Sequence, residues 1–164
     1  MSTKKWWTIN DGKRPTGDYM CKANISGQKG LILVKVKAHV SETLRAKRKL
    51  IKDANTKQEG NHKNIESCIS NELNKLNGEY SGYYQIANRI AYDLHAEEVL
   101  NIPIILVFLG FIRDNHFKDF YSTSGSFREH TEECLENLKC ESLIDNRKDK
   151  MTIKTVVSSV YAKI

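Results

Sequence analysis

The sequence predicts a single domain, residues 1–164, built on a mixed α/β sheet flanked by helices. A two-strand hairpin near the amino terminus is followed by two amphipathic helical stretches and an apolar strand, and a further helix and strand complete the chain. At 164 residues the chain is long enough for one hydrophobic core and short for two. Strands that alternate with helical stretches indicate a sheet with helices packed on its faces.

Residues 19–25 and 31–40 are the two strands of the predicted hairpin. Two glycines between these strands suit a short loop. The second strand begins with consecutive apolar residues, as a strand covered on both faces would, and then alternates in Lys35-Val36-Lys37. We therefore expect this strand to leave the core near Lys35 and to meet solvent or a cleft there.

The middle of the chain is predicted to be largely helical. Residues 41–60 are polar and rich in lysine, which indicates a short helix followed by a loop. Apolar residues then recur at three-to-four spacing over 62–77, which predicts an amphipathic helix. A second helix of this kind should run from about Tyr83 to Asn101, because Pro103 cannot continue it.

The last third of the chain adds two strands and a helix. Residues 104–109 are aliphatic or aromatic, which predicts a buried strand in the centre of the sheet. Ser126 and Glu129 have the spacing of a capping box, so a helix should open at Ser126 and run to about Lys139. Residues 152–162 are rich in β-branched side chains and predict the closing strand.

The formal net charge of +6 favours a polyanionic partner, because lysine and arginine side chains neutralise phosphates. Basic runs are more often solvated faces, so the charge by itself does not locate a site. The longest apolar run, residues 102–112, is far shorter than the roughly 20 residues that cross a bilayer, and no signal sequence opens the chain. We expect a cytoplasmic protein that does not enter a membrane.

The cysteines do not form a metal-binding or redox motif. They are scattered without a C-x-x-C pair, which argues against a zinc ribbon and against a redox dithiol. Buried free thiols are the expected state of all four, namely Cys21, Cys68, Cys134 and Cys140.

The hairpin carries the residues from which a nuclease site could be built. Neighbouring strands lie about 4.8 Å apart and alternate residues share a face, so an acid at the start of one strand converges with an acid-x-Lys on the next. Two carboxylates so placed hold Mg²⁺, and the lysine stabilises charge on a phosphate or orients water. Asp18 and Lys37 occupy two of these places, and Lys35 occupies the third.

Three parts of the chain follow one another in a recognisable order: Asp18 before the first strand, Val34-Lys35-Val36-Lys37-Ala38-His39 with Ser41-Glu42, and Tyr84-Gln85-Ile86-Ala87-Asn88-Arg89-Ile90-Ala91. Together they resemble the PD-(D/E)XK nuclease superfamily, and in particular its small restriction-endonuclease-like proteins. The resemblance continues through the apolar strand and the following helix, so it covers most of the chain from Asp18 onward. It implies a restriction-endonuclease-like fold, a Mg²⁺ or Mn²⁺ cofactor and a DNA phosphodiester substrate.

The chain departs from the family pattern at Lys35, where the family has a metal-binding glutamate. A lysine cannot coordinate a cation and places a like charge beside it. Asp18 is then the one metal ligand on the hairpin, and binding of the metal is in doubt. One hypothesis is an inactivating substitution, natural or deliberate; another is that the missing acid has moved to a nearby element, with Glu42 and Glu66 as candidates.

The second predicted helix offers supporting polar groups. Gln85 and Asn88 share a helix face, and Arg89 lies one turn after Gln85. By the resemblance, Gln85 is the helix glutamine near the active site and would orient a water or a phosphate. The alternative is that all three side chains hydrogen-bond neighbouring loops.

Other residues have weaker signals. His39 shares a strand face with Lys37 and could position Glu42 or a nucleic-acid backbone, but a lone histidine after a buried strand is more often a hydrogen-bonded core residue. Trp6 and Trp7 could stack on bases, although tandem tryptophans near a terminus more often cover the edge of a core. The remaining histidines lack metal-site spacing and receive no role; they are His62, His95, His116 and His130.

The leading functional expectation is a metal-dependent nuclease-type domain that acts on DNA, with RNA less favoured, and that Lys35 impairs or inactivates. Its catalytic positions are Asp18, Lys35, Lys37 and Gln85. The alternative is a non-catalytic module on the same fold that binds nucleic acid or an acidic protein surface. A homodimer would suit cleavage of both strands of a duplex, but no interface is evident in the sequence.

Overall fold

The computed structural model describes residues 6–7, 17–37, 39–40, 50, 52–112 and 118–144, together with the backbone of 151–159. It is a mixed α/β fold, as predicted. A short 3₁₀ helix, Glu141–Leu143, precedes the last strand. The main elements in chain order are β1 (Tyr19–Ile25), β2 (Gln28–Lys37), α1 (Thr56–Asn74), α2 (Tyr84–Leu100), β3 (Ile104–Ile112), α3 (Ser124–Asn137) and β4 (Met151–Ser159).

The predicted hairpin is present, with a tighter turn than expected. β1 pairs antiparallel with β2, and Ser26 and Gly27 form the turn with φ angles of 51° and 84°. Glycine accepts positive φ without steric cost, and the Gly27 N–H also donates to Asn24 Oδ1 at 2.8 Å. β2 therefore starts three residues before the predicted strand, and it ends at Lys37.

The sheet has the strand order β1-β2-β3-β4, with β2, β3 and β4 mutually parallel. β3 lies between two strands, so the prediction of a central strand over 104–109 is confirmed. Parallel neighbours require crossover connections, and α1 and α2 lie in the connection from β2 to β3 while α3 lies in the connection from β3 to β4. The carboxyl ends of β2 and β3 consequently lie side by side, with Lys37 opposite Gly110.

One face of the sheet carries the hydrophobic core. Leu33, Leu106 and Phe108 are buried on this face together with apolar side chains of α1, α2 and α3. Residue positions 33, 35 and 37 share the face by alternation, so Lys35 and Lys37 point to the same side as the helices. The other face presents half-buried aliphatic and aromatic side chains, such as those of Val34, Val36 and Val107.

Two helix starts differ from the predictions, and in both cases the cap explains why. α1 begins at Thr56 rather than at residue 62, because Asn55 and Gln58 form a capping box. α3 begins at Ser124, because its capping box pairs Thr123 with Ser126 and not Ser126 with Glu129. The bounds predicted for α2 are confirmed within one residue.

Some predictions fall on residues that the structure does not describe. The short helix expected within 41–60 would lie mostly in 41–49, and the end predicted for the closing strand lies beyond Ser159. Within the described part of the chain, no helix combines the length and the apolar character needed to cross a bilayer.

The cysteines and tryptophans confirm the simpler expectations. All four cysteines are free thiols, and Cys68, Cys134 and Cys140 are buried as expected, whereas Cys21 on the edge strand β1 is only half-buried. Burial raises the pKa of Cys134 to about 12, so this thiol stays protonated. Trp7 is buried in the core, and Trp6 stacks on His95 with 3.8 Å between ring centroids. The tandem tryptophans therefore cover the core.

Candidate functional site

The start of the hairpin brings the Asp18 side chain to Lys35. The paired register ends at Tyr19 and Val34, and just before it the Asp18 N–H donates to the Val34 carbonyl at 3.0 Å, which holds Asp18 beside β2. The side chains of cross-strand neighbours lie close enough to interact. The expected convergence of Asp18 with position 35 is thus present.

The Lys35 ammonium lies on the Asp18 carboxylate. Lys35 Nζ is 3.0 Å from Oδ1 and 3.0 Å from Oδ2, and the Val36 N–H donates to Oδ2 at 2.7 Å. Both carboxylate oxygens are therefore engaged by residues of β2. The Lys35 side chain is 21% exposed and that of Asp18 39%, so the pair borders solvent.

The charge state of Asp18 follows from these contacts. Partial burial acts to raise its pKa, but the hydrogen bond from Val36 and the Lys35 ammonium outweigh burial, and the net pKa is lowered. Arg89 of α2 adds a further lowering effect. Asp18 is accordingly a carboxylate near neutral pH, held by cations of the chain itself.

Lys37 differs from the expectation that β2 meets solvent or a cleft at its end. Its side chain is buried, with 2% of the residue exposed, on the helix-covered face of the sheet opposite Gly110. The expectation holds at Lys35, whose side chain borders solvent, and was wrong at Lys37, because Phe127 of α3 covers the sheet beside it. Lys37 therefore does not offer its ammonium to solvent.

The predicted helix residues reach the hairpin unequally. Arg89 is buried and close enough to Asp18 to lower its pKa, so the first half of α2 faces the hairpin. Asn88 is also buried. Gln85 is exposed and makes no hydrogen bond to any residue that the structure describes. Of the three, Arg89 is the one whose charge acts on Asp18.

The remaining candidates lie elsewhere. Glu66 pairs with His62, at 3.6 Å between Oε2 and Nε2, and not with Asp18. His39 Nδ1 lies 3.7 Å from Asp119 Oδ1. Glu42 lies outside the described residues. Thus the structure does not place Glu66 as a replacement for the missing acid.

A divalent cation does not fit the residues around Asp18. Among the residues that the structure describes, the site offers one carboxylate, and its two oxygens are already bound by an ammonium and an amide. Mg²⁺ demands near-ideal octahedral geometry with oxygen ligands. An ammonium beside it adds a repelling positive charge and has no lone pair with which to bind the ion. Lys35 takes the position that a metal would need.

Two groups with unusual environments were missed in the sequence. Asp93 of α2 is fully buried, and its two oxygens have no hydrogen-bond partner among the described residues. Glu72, His95 and Glu98 form a group that joins α1 and α2. The His95-x-x-Glu98 spacing was a signal, but Glu72 comes from another helix, and only the helix pairing brings it near.

Comparisons with protein-family models, with curated proteins and with solved structures give no match to this chain. The functional argument therefore depends on the residues themselves and on their geometry.

Proposed function

We propose that this chain is a nuclease-type domain of the PD-(D/E)XK kind with a restriction-endonuclease-like fold, in which Lys35 fills the metal position. On this proposal the domain binds DNA, with RNA the less favoured ligand, and does not hydrolyse it. The observation that carries the proposal is the contact of Lys35 Nζ with both oxygens of Asp18 at 3.0 Å.

The order of elements supports the nuclease-type scaffold. The hairpin brings the Asp18 carboxylate to Lys35, two residues before Lys37. The helix α2, in the connection that follows, carries Arg89, whose charge lowers the pKa of Asp18. The parallel strand β3 then lies beside β2. These are the elements, in the same order, that carry the resemblance in the sequence.

Electrostatics explain why the site should reject a metal. Two unit charges 4 Å apart interact by about 4 kcal/mol at an effective dielectric constant of 20, so a divalent ion beside the Lys35 ammonium meets a repulsion of about 8 kcal/mol. The Asp18 carboxylate attracts the ion with a similar strength at the same distance, so the two effects nearly cancel and leave no net attraction to hold the metal.

Without a metal ion the domain should not hydrolyse phosphodiester bonds, but its basic side chains should still attract phosphates. In metal-dependent nucleases the ion neutralises the charge that grows on the phosphate and activates the attacking water. The formal net charge of +6 does not depend on a metal ion at Asp18, and it favours binding to the nucleic-acid backbone. Binding without cleavage is therefore the combined expectation.

The test is a plasmid and oligonucleotide cleavage assay in Mg²⁺ and in Mn²⁺. We expect no cleavage by the natural chain or by K35M, which removes the ammonium without adding a carboxylate. K35E should cleave, because it supplies the second carboxylate opposite Asp18, and the double variant D18N/K35E should not. Circular dichroism confirms that each variant is folded.

Two results would contradict the proposal. Suppose that the unaltered chain cleaves DNA in Mg²⁺ and that D18N abolishes this cleavage. Lys35 would then not prevent a metal ion from binding at Asp18. A folded K35E without activity would show that the scaffold lacks more than the one carboxylate. Failure of the natural chain to bind DNA at low salt would remove the binding function and leave an acidic protein surface as the ligand to be tested.

A further inference from the structure

A second polar group lies between the helices α1 and α2, apart from the hairpin. It consists of Glu72 on α1 and His95 and Glu98 on α2, and we refer to these three residues as the Glu72 cluster. One ligand atom of each lies within 4.8 Å of the others. Glu72 is 3% exposed and His95 8%, so two of the three side chains are withdrawn from solvent.

His95 is buried without a hydrogen-bond partner. Neither ring nitrogen makes a hydrogen bond to a residue that the structure describes, and Nε2 is fully enclosed. Nδ1 points at Glu72 Oε1 across 3.7 Å, which is too long for a hydrogen bond. Trp6 stacks on the imidazole with an interplanar angle of 7° and covers it. Buried polar groups nearly always have a partner, so this imidazole is short of one.

A lysine currently supplies the positive charge at the cluster. Lys75 Nζ lies 2.9 Å from Glu72 Oε2 and 2.6 Å from Glu98 Oε2, so the ammonium bridges the two carboxylates. It donates to the two carboxylates and to neither ring nitrogen of His95. The Lys75 side chain is 51% exposed and can turn outward into solvent.

We propose that the Glu72 cluster binds one divalent transition-metal ion, with Zn²⁺ the best match, and that Lys75 is displaced when the ion enters. One imidazole and two carboxylates, with a water as fourth ligand, form a tetrahedral zinc donor set. Zinc distances of about 2.0–2.2 Å place tetrahedral ligand atoms about 3.4 Å apart. The present separations, up to 4.8 Å, require a modest closure of flexible carboxylates.

The choice of metal follows from the donor atoms. Imidazole nitrogen suits zinc and other transition ions, whereas Mg²⁺ and Ca²⁺ prefer oxygen. The ion would bridge α1 and α2 and would bind His95 through Nδ1, the nitrogen that faces Glu72. The cluster is separate from the hairpin, because His95 lies six residues beyond Arg89, about 9 Å along the helix. The inference does not depend on the proposed function.

The test is calorimetric titration of the full chain with Zn²⁺, with Glu98→Gln as the principal variant. Glu98 has a 62% exposed side chain, so its replacement should leave the fold intact. We expect one Zn²⁺ per natural chain, and binding weakened by roughly 10- to 100-fold in E98Q. K75M should bind roughly tenfold more tightly, because a competing cation is gone.

The chain provides a matched control. Glu133 follows His130 with the same His-x-x-Glu spacing on α3, and its side chain is 61% exposed. It belongs to no three-residue metal group among the described residues. E133Q should therefore bind Zn²⁺ as the natural chain does. Substituted Co²⁺ should give a visible absorption band typical of tetrahedral coordination, and E98Q should lose that band.

Three results would overturn the inference. Equal Zn²⁺ affinity in the natural chain and E98Q would place the ion elsewhere. Weakening by E133Q as large as that by E98Q would indicate non-specific surface binding. Absence of Zn²⁺ binding in K75M, the variant best prepared to accept the ion, would show that the lysine-bridged carboxylates are purely an ion-pair network.

Discussion

The Lys35 side chain changes what Asp18 can do. The Asp18 carboxylate accepts hydrogen bonds from the Val36 amide and the Lys35 ammonium, so its negative charge is already stabilised. A further cation would therefore stabilise it little. Register in a hairpin follows from turn length, and the predicted five-residue loop would have placed Asp18 opposite residue 38; the tighter turn at Ser26 and Gly27 brings Asp18 to Lys35 instead. The direct bridge from Nζ to both oxygens could not be anticipated from the sequence, because a long side chain has many rotamers.

Burial of Lys37 illustrates a limit of pattern reading. Alternation with valine predicted a strand that emerges from the core, but side-chain alternation specifies which residues share a face and not whether that face is covered. Coverage depends on Phe127 of α3, whose ring lies against Gly110 beside Lys37. That helix is far away in sequence.

Asp93 supplies a prediction at the residue scale. Burial raises its pKa from 3.8 to about 7, while Arg89 acts in the opposite direction. The folded chain therefore keeps the Asp93 proton up to about pH 7, whereas the unfolded chain releases it near pH 4. Between these pH values the folded state binds more protons, so the free energy of unfolding falls as pH rises and is level above about pH 7.

D93N should remove this dependence. Relative to D93N, the natural chain should lose on the order of 2 to 3 kcal/mol of unfolding free energy between pH 5 and pH 8. Urea unfolding at both pH values measures the difference. D53N, a change at an exposed position, is the control and should retain the natural pH dependence. An unchanged fall in D93N would show that Asp93 is already ionised at pH 5.

At the scale of elements, sequence reading located the helices and strands well where apolar side chains carry the pattern. The bounds of β1 and α2 were predicted closely because their apolar residues begin and end with the element. The first turns of α1 are polar and contain Gly60, so no apolar stripe marked them. There the capping box of Asn55 and Gln58 determines the start.

Two glycines give a paired prediction. A Cβ on Gly110 of β3 would lie 2.5 Å from the Phe127 ring, whereas a Cβ on Gly60 of α1 would meet nothing within 4 Å. G110A should lower the free energy of unfolding by about 1 to 3 kcal/mol, because α3 must shift. G60A should raise it by about 0.5 to 1 kcal/mol, because alanine favours the helix.

Urea unfolding measures the free energy of unfolding of G110A and G60A relative to the unaltered chain. Opposite shifts support the close packing of α3 over the carboxyl end of β3. If G110A were as stable as the natural chain, Phe127 could not lie against Gly110, and the burial of Lys37 would lose its explanation.

At the scale of the whole molecule, the mixed sheet and the interior position of β3 were predictable, since apolar runs of that length require cover on both faces. The pairing of α1 with α2 was not. It brings Glu72 to His95 and Glu98, and no spacing within either helix encodes that contact. Long-range sites are assembled by packing, and a single sequence seldom contains a signal for packing of this kind.

DNA binding is the prediction that concerns the whole chain. Because it depends on the charge of +6 and not on a metal, binding to a duplex oligonucleotide should persist in EDTA. Affinity should fall steeply with salt, with a slope of about −0.9 in log–log form for each phosphate neutralised. Fluorescence anisotropy at several salt concentrations measures it. DNA binding that requires Mg²⁺ would contradict the proposal that Lys35 occupies the metal position.

The most direct measurement is calorimetric titration with Mn²⁺ of the Lys35, K35M and K35E chains, each carrying E98Q so that binding at the Glu72 cluster is weakened. With Lys35 present, and equally in K35M, no Mn²⁺ should bind at Asp18, because only one carboxylate is available. K35E should bind one Mn²⁺ per chain and lose it on addition of D18N. Mn²⁺ binding to the Lys35 chain that D18N abolishes would contradict the central claim, as would a folded K35E that binds no metal.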